Sequence, residues 1–304
     1  MDELRNFNAR KLYQKLEMPL FEDFLKELGL LPKVKVCDCG GQMTFKSKPG
    51  RNYSSWRCTK KSCRKEIGYL RGTWFEGAHL SLKEIFQLSY YFCRQTHSYD
   101  EIIFDMQRDG TNIGSQAINE WMNYYRCAVA QYFVTNPLKI GGPGIVVEID
   151  ETVITKRKYH RGSLRAEEQW FFGGVERGSG RCFIVPVPKR DAATLLPIIQ
   201  QYIHPGTTIM SDKWAAYNRI DQLPELYEHY TVNHSENFVD SDTGAHTQTI
   251  EGTWAQFKRR HKEEMGTSRT HFLSYIYLFS WRRHFKGNDS MYHLWSQIRD
   301  MHPL

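Results

Sequence analysis

Hydrophobic residues recur at helical spacing through the first part of the chain and gather into short strand-length blocks through the second. Leu12, Leu16, Leu20, Phe21, Phe24, Leu25 and Leu28 fall three or four apart and predict a helical lead, with Gly29 as its stop. From Leu80 onward Leu82, Ile85, Phe86, Leu88, Tyr91 and Phe92 share one helical face, and a second helix is expected from Tyr99 to Gln107. The stretch Asp109-Gly-Thr-Asn-Ile-Gly114 reads as a turn, with Ser115 as N-cap of a third helix through Ile118, Trp121, Met122 and Tyr125. Helix, turn, helix at this length is compatible with a helix-turn-helix. Asn136-Pro-Leu-Lys-Ile-Gly-Gly-Pro-Gly144 breaks the pattern as a linker. Beyond it the blocks predict strands over 144–150, 168–176 and 181–187, a helix over 191–203 and a strand over 207–211. A helix over 213–220, a strand over 229–233, a long loop and helices over 250–263 and 269–284 follow.

Three strands followed by alternating helix and strand is the order of a ribonuclease-H-like α/β domain. The chain therefore divides into a helical lead (1–30), a cysteine-bearing module (31–78), a helix-turn-helix-like region (79–136), a linker (137–143), an α/β domain (144–290) and a tail (291–304).

Composition narrows the partners. The 304 residues carry 41 basic and 34 acidic side chains, a net charge of 41 − 34 = +7, which suits a polyanion without requiring one. No apolar run approaches the roughly 20 residues of a membrane span, so no membrane partner is expected. Met1-Asp-Glu-Leu-Arg5 lacks the basic-then-apolar profile of a signal peptide. Seven cysteines, four of them clustered, favour a metal site in a reducing compartment over disulfides.

That cluster is Cys37-Asp-Cys39-Gly-Gly41 with Cys58-Thr-Lys-Lys-Ser-Cys63, in a module so poor in apolar residues that a metal staple is expected to hold it. One structural Zn²⁺ on Cys37, Cys39, Cys58 and Cys63 is the reading, although Cys-x-Cys is a tighter knuckle than Cys-x-x-Cys. Cys93, Cys127 and Cys182 lie in apolar patterns and read as buried core thiols.

The acids carry the chemistry. Asp150 ends the first strand of the α/β order, Asp212 follows the fourth 62 positions later, and Glu251 opens a helix. Two strand-end aspartates and a helical glutamate supply the hard oxygen ligands for two Mg²⁺ or Mn²⁺ ions, held roughly 3.5–4 Å apart for phosphodiester chemistry. Glu151 is a neighbouring rival on the opposite face by alternation, and Glu148 shares the parity of Asp150 but stands farther down the strand. Glu236 and Asp242 could in principle replace Glu251. The latter is preferred because Trp254, Lys258, Arg259 and Arg260 follow it on the same helix, which would turn its basic tail to phosphates or leave it as a solvated face. His234 and His246 flank the preceding loop and could orient a phosphate or water, or be structural. In the third helix Asn119, Asn123 and Arg126 suit base edges or phosphates.

Several motifs together resemble one known family. They are Trp56-Arg-Cys58, Gly72-Thr-Trp-Phe-Glu-Gly77, Val147-Glu-Ile-Asp-Glu-Thr152, Trp170-Phe-Phe-Gly-Gly174, Ser211-Asp-Lys-Trp-Ala-Ala-Tyr217 and His246-Thr-Gln-Thr-Ile-Glu-Gly-Thr-Trp254. The chain resembles the zinc-ribbon DDE transposases, specifically the eukaryotic Merlin superfamily and its bacterial insertion-sequence relatives, from about residue 31 to 285. The resemblance implies a DDE integrase-type catalytic domain behind a zinc ribbon, Asp150, Asp212 and Glu251 as catalytic triad, and zinc on the four clustered cysteines. It further implies cut-and-paste transposition on double-stranded DNA, with terminal inverted repeats and target as substrates and a homodimer or larger assembly. A nuclear location follows for a eukaryotic source, and cytoplasm or nucleoid otherwise. A domesticated DNA-binding regulator and a nuclease without strand transfer are the alternatives.

Overall fold

Asn8 accepts a hydrogen bond from the Lys11 amide (3.0 Å) and starts α1 (Ala9–Leu16); after Pro19, α2 (Phe21–Glu27) runs to Gly29, whose φ of +73° turns the chain. This is a computed structural model, and it describes residues 1–47, 54–95, 98–108, 113–153, 169–232, 246–263 and 272–304. The chain forms two units: Met1–Ala128 with Gly287–Leu304, and Val129–Lys286.

In the first unit, strands β1 (Lys35–Val36), β2 (Gln42–Lys46), β3 (Ser55–Cys58) and β4 (Glu66–Gly68) form an antiparallel sheet in chain order. Helix α3 (Leu82–Arg94) opens on a capping box between Ser81 and Glu84, and α4 (Tyr99–Arg108) and α5 (Ser115–Thr135) follow, the part of α5 from Val129 onward belonging to the second unit. Ser115 is itself helical, and the Ile118 amide bonds to the Gly114 carbonyl (3.2 Å), so Gly114 takes the cap position expected of Ser115. The final residues, read as a tail, form a helix over Ser290–Met301. Its Trp295 is fully buried, stacks on Phe86 (5.7 Å between centroids) and donates Nε1 to Ser89 Oγ (2.9 Å).

The second unit is built on a sheet of β5 (Val146–Val153), β6 (Trp170–Glu176), β7 (Cys182–Val187), β8 (Thr208–Asp212) and β9 (Glu228–Val232), in the order β7-β6-β5-β8-β9. The β7-β6-β5 ladders are antiparallel, and β5-β8-β9 are parallel. Helix α6 (Ala192–Tyr202), capped by Asp191, packs on one face, where Tyr202 stacks on Phe183 (4.9 Å). On the other face α7 (Gln248–Glu263) and α8 (Phe272–His284) bury Ile250, Trp254, Phe257 and Ile276 against Phe171, Val175, Cys182 and Ile184. This is a ribonuclease-H-like core.

Two expected boundaries move. The helix expected over 213–220 is a pair of short 3₁₀ turns, Ala215–Tyr217 and Ile220–Gln222, which put the buried Tyr217 and Ile220, three apart, on one side. The first strand begins at Val146, after a glycine turn with Gly144 at φ +75°, and runs on to Val153 because β6 pairs alongside it as far as Trp170.

Candidate active site

Register brings two of the acids together. Across the parallel pair, Val146 faces Thr208 and Glu148 faces Met210, an offset of 62 that sets Asp150 level with Asp212 (212 − 150 = 62). Neighbouring strands stand about 4.8 Å apart, so the two carboxylates are neighbours. Against β6 Asp150 is not at a strand end: it lies inside the ladder, opposite Gly173.

Gly173 creates the space that brings in the third acid. A Cβ there would lie 2.6 Å from Trp254 Cη2 and 2.9 Å from the Phe183 carbonyl oxygen. The Trp254 indole fills the gap and donates Nε1 to Asp150 Oδ2 (3.1 Å). Glu251 is exposed in the first turn of α7, about one turn before Trp254, so this bond holds its helix across Asp150. Burial pushes the Asp150 carboxyl up to about 6, and the charges of Asp212 and Glu251 add to the rise. Asp212 and Glu251 therefore both lie within electrostatic reach of Asp150. The Trp214 amide donates to Asp212 Oδ1 (3.1 Å), and Ser211 Oγ is bonded to His229 Nε2 (2.8 Å).

The two rival glutamates are both occupied. Glu148 is completely buried and joins strand to helix: its carboxylate accepts Arg177 Nε (2.6 Å), Thr249 Oγ1 (2.7 Å) and the Ile250 amide (2.9 Å). Arg177 also donates to the His246 carbonyl (2.8 Å), and His246 Nδ1 stands 3.4 Å from Glu148. Sequence reading set Glu148 aside as a rival ligand and missed this role; its shared parity with Asp150 was the signal. Glu151 lies on the opposite face, where its carboxylate accepts the Tyr217 hydroxyl. Burial pushes it up to about 7, with Asp150 and Asp212 adding to the rise.

Other expected contacts divide. Asn119 is exposed and accepts from Tyr99 Oη (3.4 Å), and Lys258 and Arg259 are exposed on α7. Arg126 is buried at 7% exposure and donates to Asn123 Oδ1 (2.8 Å). Cys127 is corrected, being exposed, whereas Cys93 and Cys182 are buried. Helix α5 buries Ile118, Trp121, Tyr125 and Val129, and two residues from Tyr125 is the far side of that helix. His234, Glu236 and Asp242 lie outside the described residues.

In the first unit the ligand atoms of Cys37, Cys39, Cys58 and Cys63 all lie within 4.8 Å of one another, with Cys37–Cys63 at 3.7 Å and Cys39–Cys58 at 3.5 Å. Thiolates about 2.3 Å from a tetrahedral ion stand about 3.8 Å apart, so the set fits one metal. Gly41 is needed there, since a Cβ would come 2.9 Å from Cys58 Sγ.

The second unit is thus a ribonuclease-H-like domain with carboxylates drawn from two adjacent parallel strands and a helix. Residues 140–284 match the family described as the ISXO2-like transposase domain, a match that supports a DDE transposase assignment. An uncharacterized transposase-like protein of Haemophilus influenzae is 28% identical over 102 residues, which are 34% of this chain and 80% of that protein. Among solved structures, the catalytic core domain of BIV integrase aligns at 16% identity with a TM-score of 0.31, covering 47% of this chain and 86% of that one. The HTLV-2 integrase catalytic core domain in complex with magnesium aligns at 14% identity and a TM-score of 0.30, covering 46% and 86%. Among the described residues, no helix is long and apolar enough to cross a membrane.

Proposed function

We propose that this protein is a cut-and-paste DNA transposase of the zinc-ribbon DDE type, in which Asp150, Asp212 and Glu251 hold two Mg²⁺ or Mn²⁺ ions. The observation that carries this reading is the register of Asp150 beside Asp212, with the helix of Glu251 tied to Asp150 through Trp254. The donor set fits such ions: hard oxygens only, at a site where burial pushes the Asp150 carboxyl up to about 6 and the neighbouring Asp212 and Glu251 add to the rise. When bound, the ions would supply an activated water and charge stabilisation on the leaving oxygen.

The chain's own part is positioning. Asp150 and Asp212 present carboxylates from a rigid ladder, Trp254 orients Asp150, and Glu148 holds the start of α7 so that Glu251 meets them. Water then displaces the 3′ oxygen at the transposon end, breaking the phosphorus–oxygen bond and leaving a 3′-OH. That hydroxyl attacks a target phosphodiester in line, forming one phosphorus–oxygen bond and breaking another, with no covalent enzyme intermediate. Zinc on Cys37, Cys39, Cys58 and Cys63 would staple the ribbon, and the ribbon with the helices around Asn119 and Asn123 would read terminal inverted repeats. Affiliation with the Merlin superfamily, a nuclear site of action and a homodimeric or larger assembly belong to the same proposal.

The test is strand transfer from a pre-cleaved transposon end bearing a free 3′-OH into a plasmid. Asp150→Ala, Asp212→Ala and Glu251→Ala are each expected to reduce both cleavage and joining to background while DNA binding persists. Cleavage without joining by the unaltered protein would favour the nuclease reading, and wild-type rates in Glu251→Ala would remove that residue from the triad.

A further inference from the structure

Two tryptophans that the triad does not use bracket an arginine beside the acids. Trp170 opens β6 opposite Val153, three residues beyond the Asp150–Gly173 pair. Trp214 follows Asp212 and donates its amide to that carboxylate. The Arg190 guanidinium carbon lies 3.6 Å from the Trp170 ring centroid and 5.3 Å from that of Trp214, so Arg190 stands at the same end of the sheet as the acids.

Among the described residues its hydrogen-bonding capacity is unspent. Arg190 is exposed and, among the described residues, makes no ion pair or side-chain hydrogen bond. The adjacent Asp191 does not answer it, because Oδ1 of that residue accepts the Thr194 amide (2.9 Å) and Thr194 Oγ1 (2.7 Å) as the cap of α6. A guanidinium stacked on an indole has its orientation set by the ring while its N–H groups point outward in its own plane, the geometry that grips a phosphate with two parallel bonds.

The surroundings call for such a cation. Asp150, Glu151, Asp212 and Glu251 concentrate four carboxylates at this end of the sheet, and a DNA strand crossing it is repelled wherever no ion intervenes. Arg190 is close enough to act on Glu151, opposing the rise that burial causes there.

We propose that Arg190, held against Trp170 and flanked by Trp214, is a clamp for a backbone phosphate of the DNA strand lying over the Asp150–Asp212 end of the sheet. The proposal rests on the reading of this domain as acting on DNA. Its test is binding of a mixed-sequence DNA duplex across a salt series, using the full chain with Asp150→Ala so that cleavage does not interfere. Adding Arg190→Ala is expected to weaken binding about tenfold. It is also expected to flatten the plot of log K against log salt by about 0.9, the share of one phosphate. Arg190→Lys should restore the slope and only part of the affinity, because an ammonium neither lies flat on the ring nor forks. An unchanged melting temperature in Arg190→Ala would show that the exposed side chain does not support the fold. Slope and affinity unchanged in Arg190→Ala would overturn the clamp alone, whereas no binding by the parent would overturn the DNA reading with it.

Discussion

Gly173 shows how much one residue contributes by having no side chain. Its position opposite Asp150 lets the Trp254 indole cross β6 and reach the carboxylate. In Gly173→Ala the new methyl would meet both that ring and the Phe183 backbone, and only the ring can retreat. We expect a loss of about 1–3 kcal/mol in denaturant unfolding, with reduced activity as Trp254 leaves Asp150. Gly252→Ala is the control: nothing lies within 4 Å of its Cβ, so it should stabilise α7 by about 0.4–1 kcal/mol. Trp254 was legible as a residue one turn beyond Glu251. The gap that receives it was not, because a glycine pair inside a strand signals a close approach without naming what approaches. Arg126 is a contrasting case, since its side chain is polar yet lies with Tyr125 on the buried side of α5.

At the scale of elements, the placing of α7 on β5 is decided by a buried charge. Glu148 carries three hydrogen bonds, two from Thr249 and Ile250 at the helix start and one from Arg177, so strand and helix move as one piece. Glu148→Ala would leave Arg177 Nε and the Ile250 amide without their acceptor. A loss of about 3–5 kcal/mol in unfolding free energy is expected, the usual cost of removing one partner from a buried pair. Glu148→Gln keeps the shape and one acceptor and should cost less. If α7 is held chiefly by the apolar contacts of Ile250, Trp254 and Phe257, both variants will unfold like the parent.

Taken whole, the molecule has two units with separate cores, one around Trp295 and Phe86 and one on the five-stranded sheet. The four-cysteine cluster lies entirely in the first. Cys58→Ser is therefore expected to abolish one equivalent of bound zinc, read by elemental analysis, and to lower only the first of two unfolding transitions. A chelator should do the same to the unaltered chain. Zinc absent from unchelated protein, or both transitions falling together, would refute this.

Most of the element order, the α/β topology and the four-cysteine module were readable from the sequence, as was the candidacy of Asp150, Asp212 and Glu251 as metal ligands. Each depends on a short-range regularity: strand alternation, helical spacing, or the offset of 62 that became the parallel register. What only the tertiary structure decided is how distant side chains share space. Glu148 became a tether, Arg126 went inside, and the last helix joined the first unit instead of trailing the second. A buried carboxylate is tolerated only where enough donors converge on it, and a tryptophan crosses a strand only where the facing residue leaves room. Both conditions are met by residues far apart in the chain, and no local pattern records such a meeting.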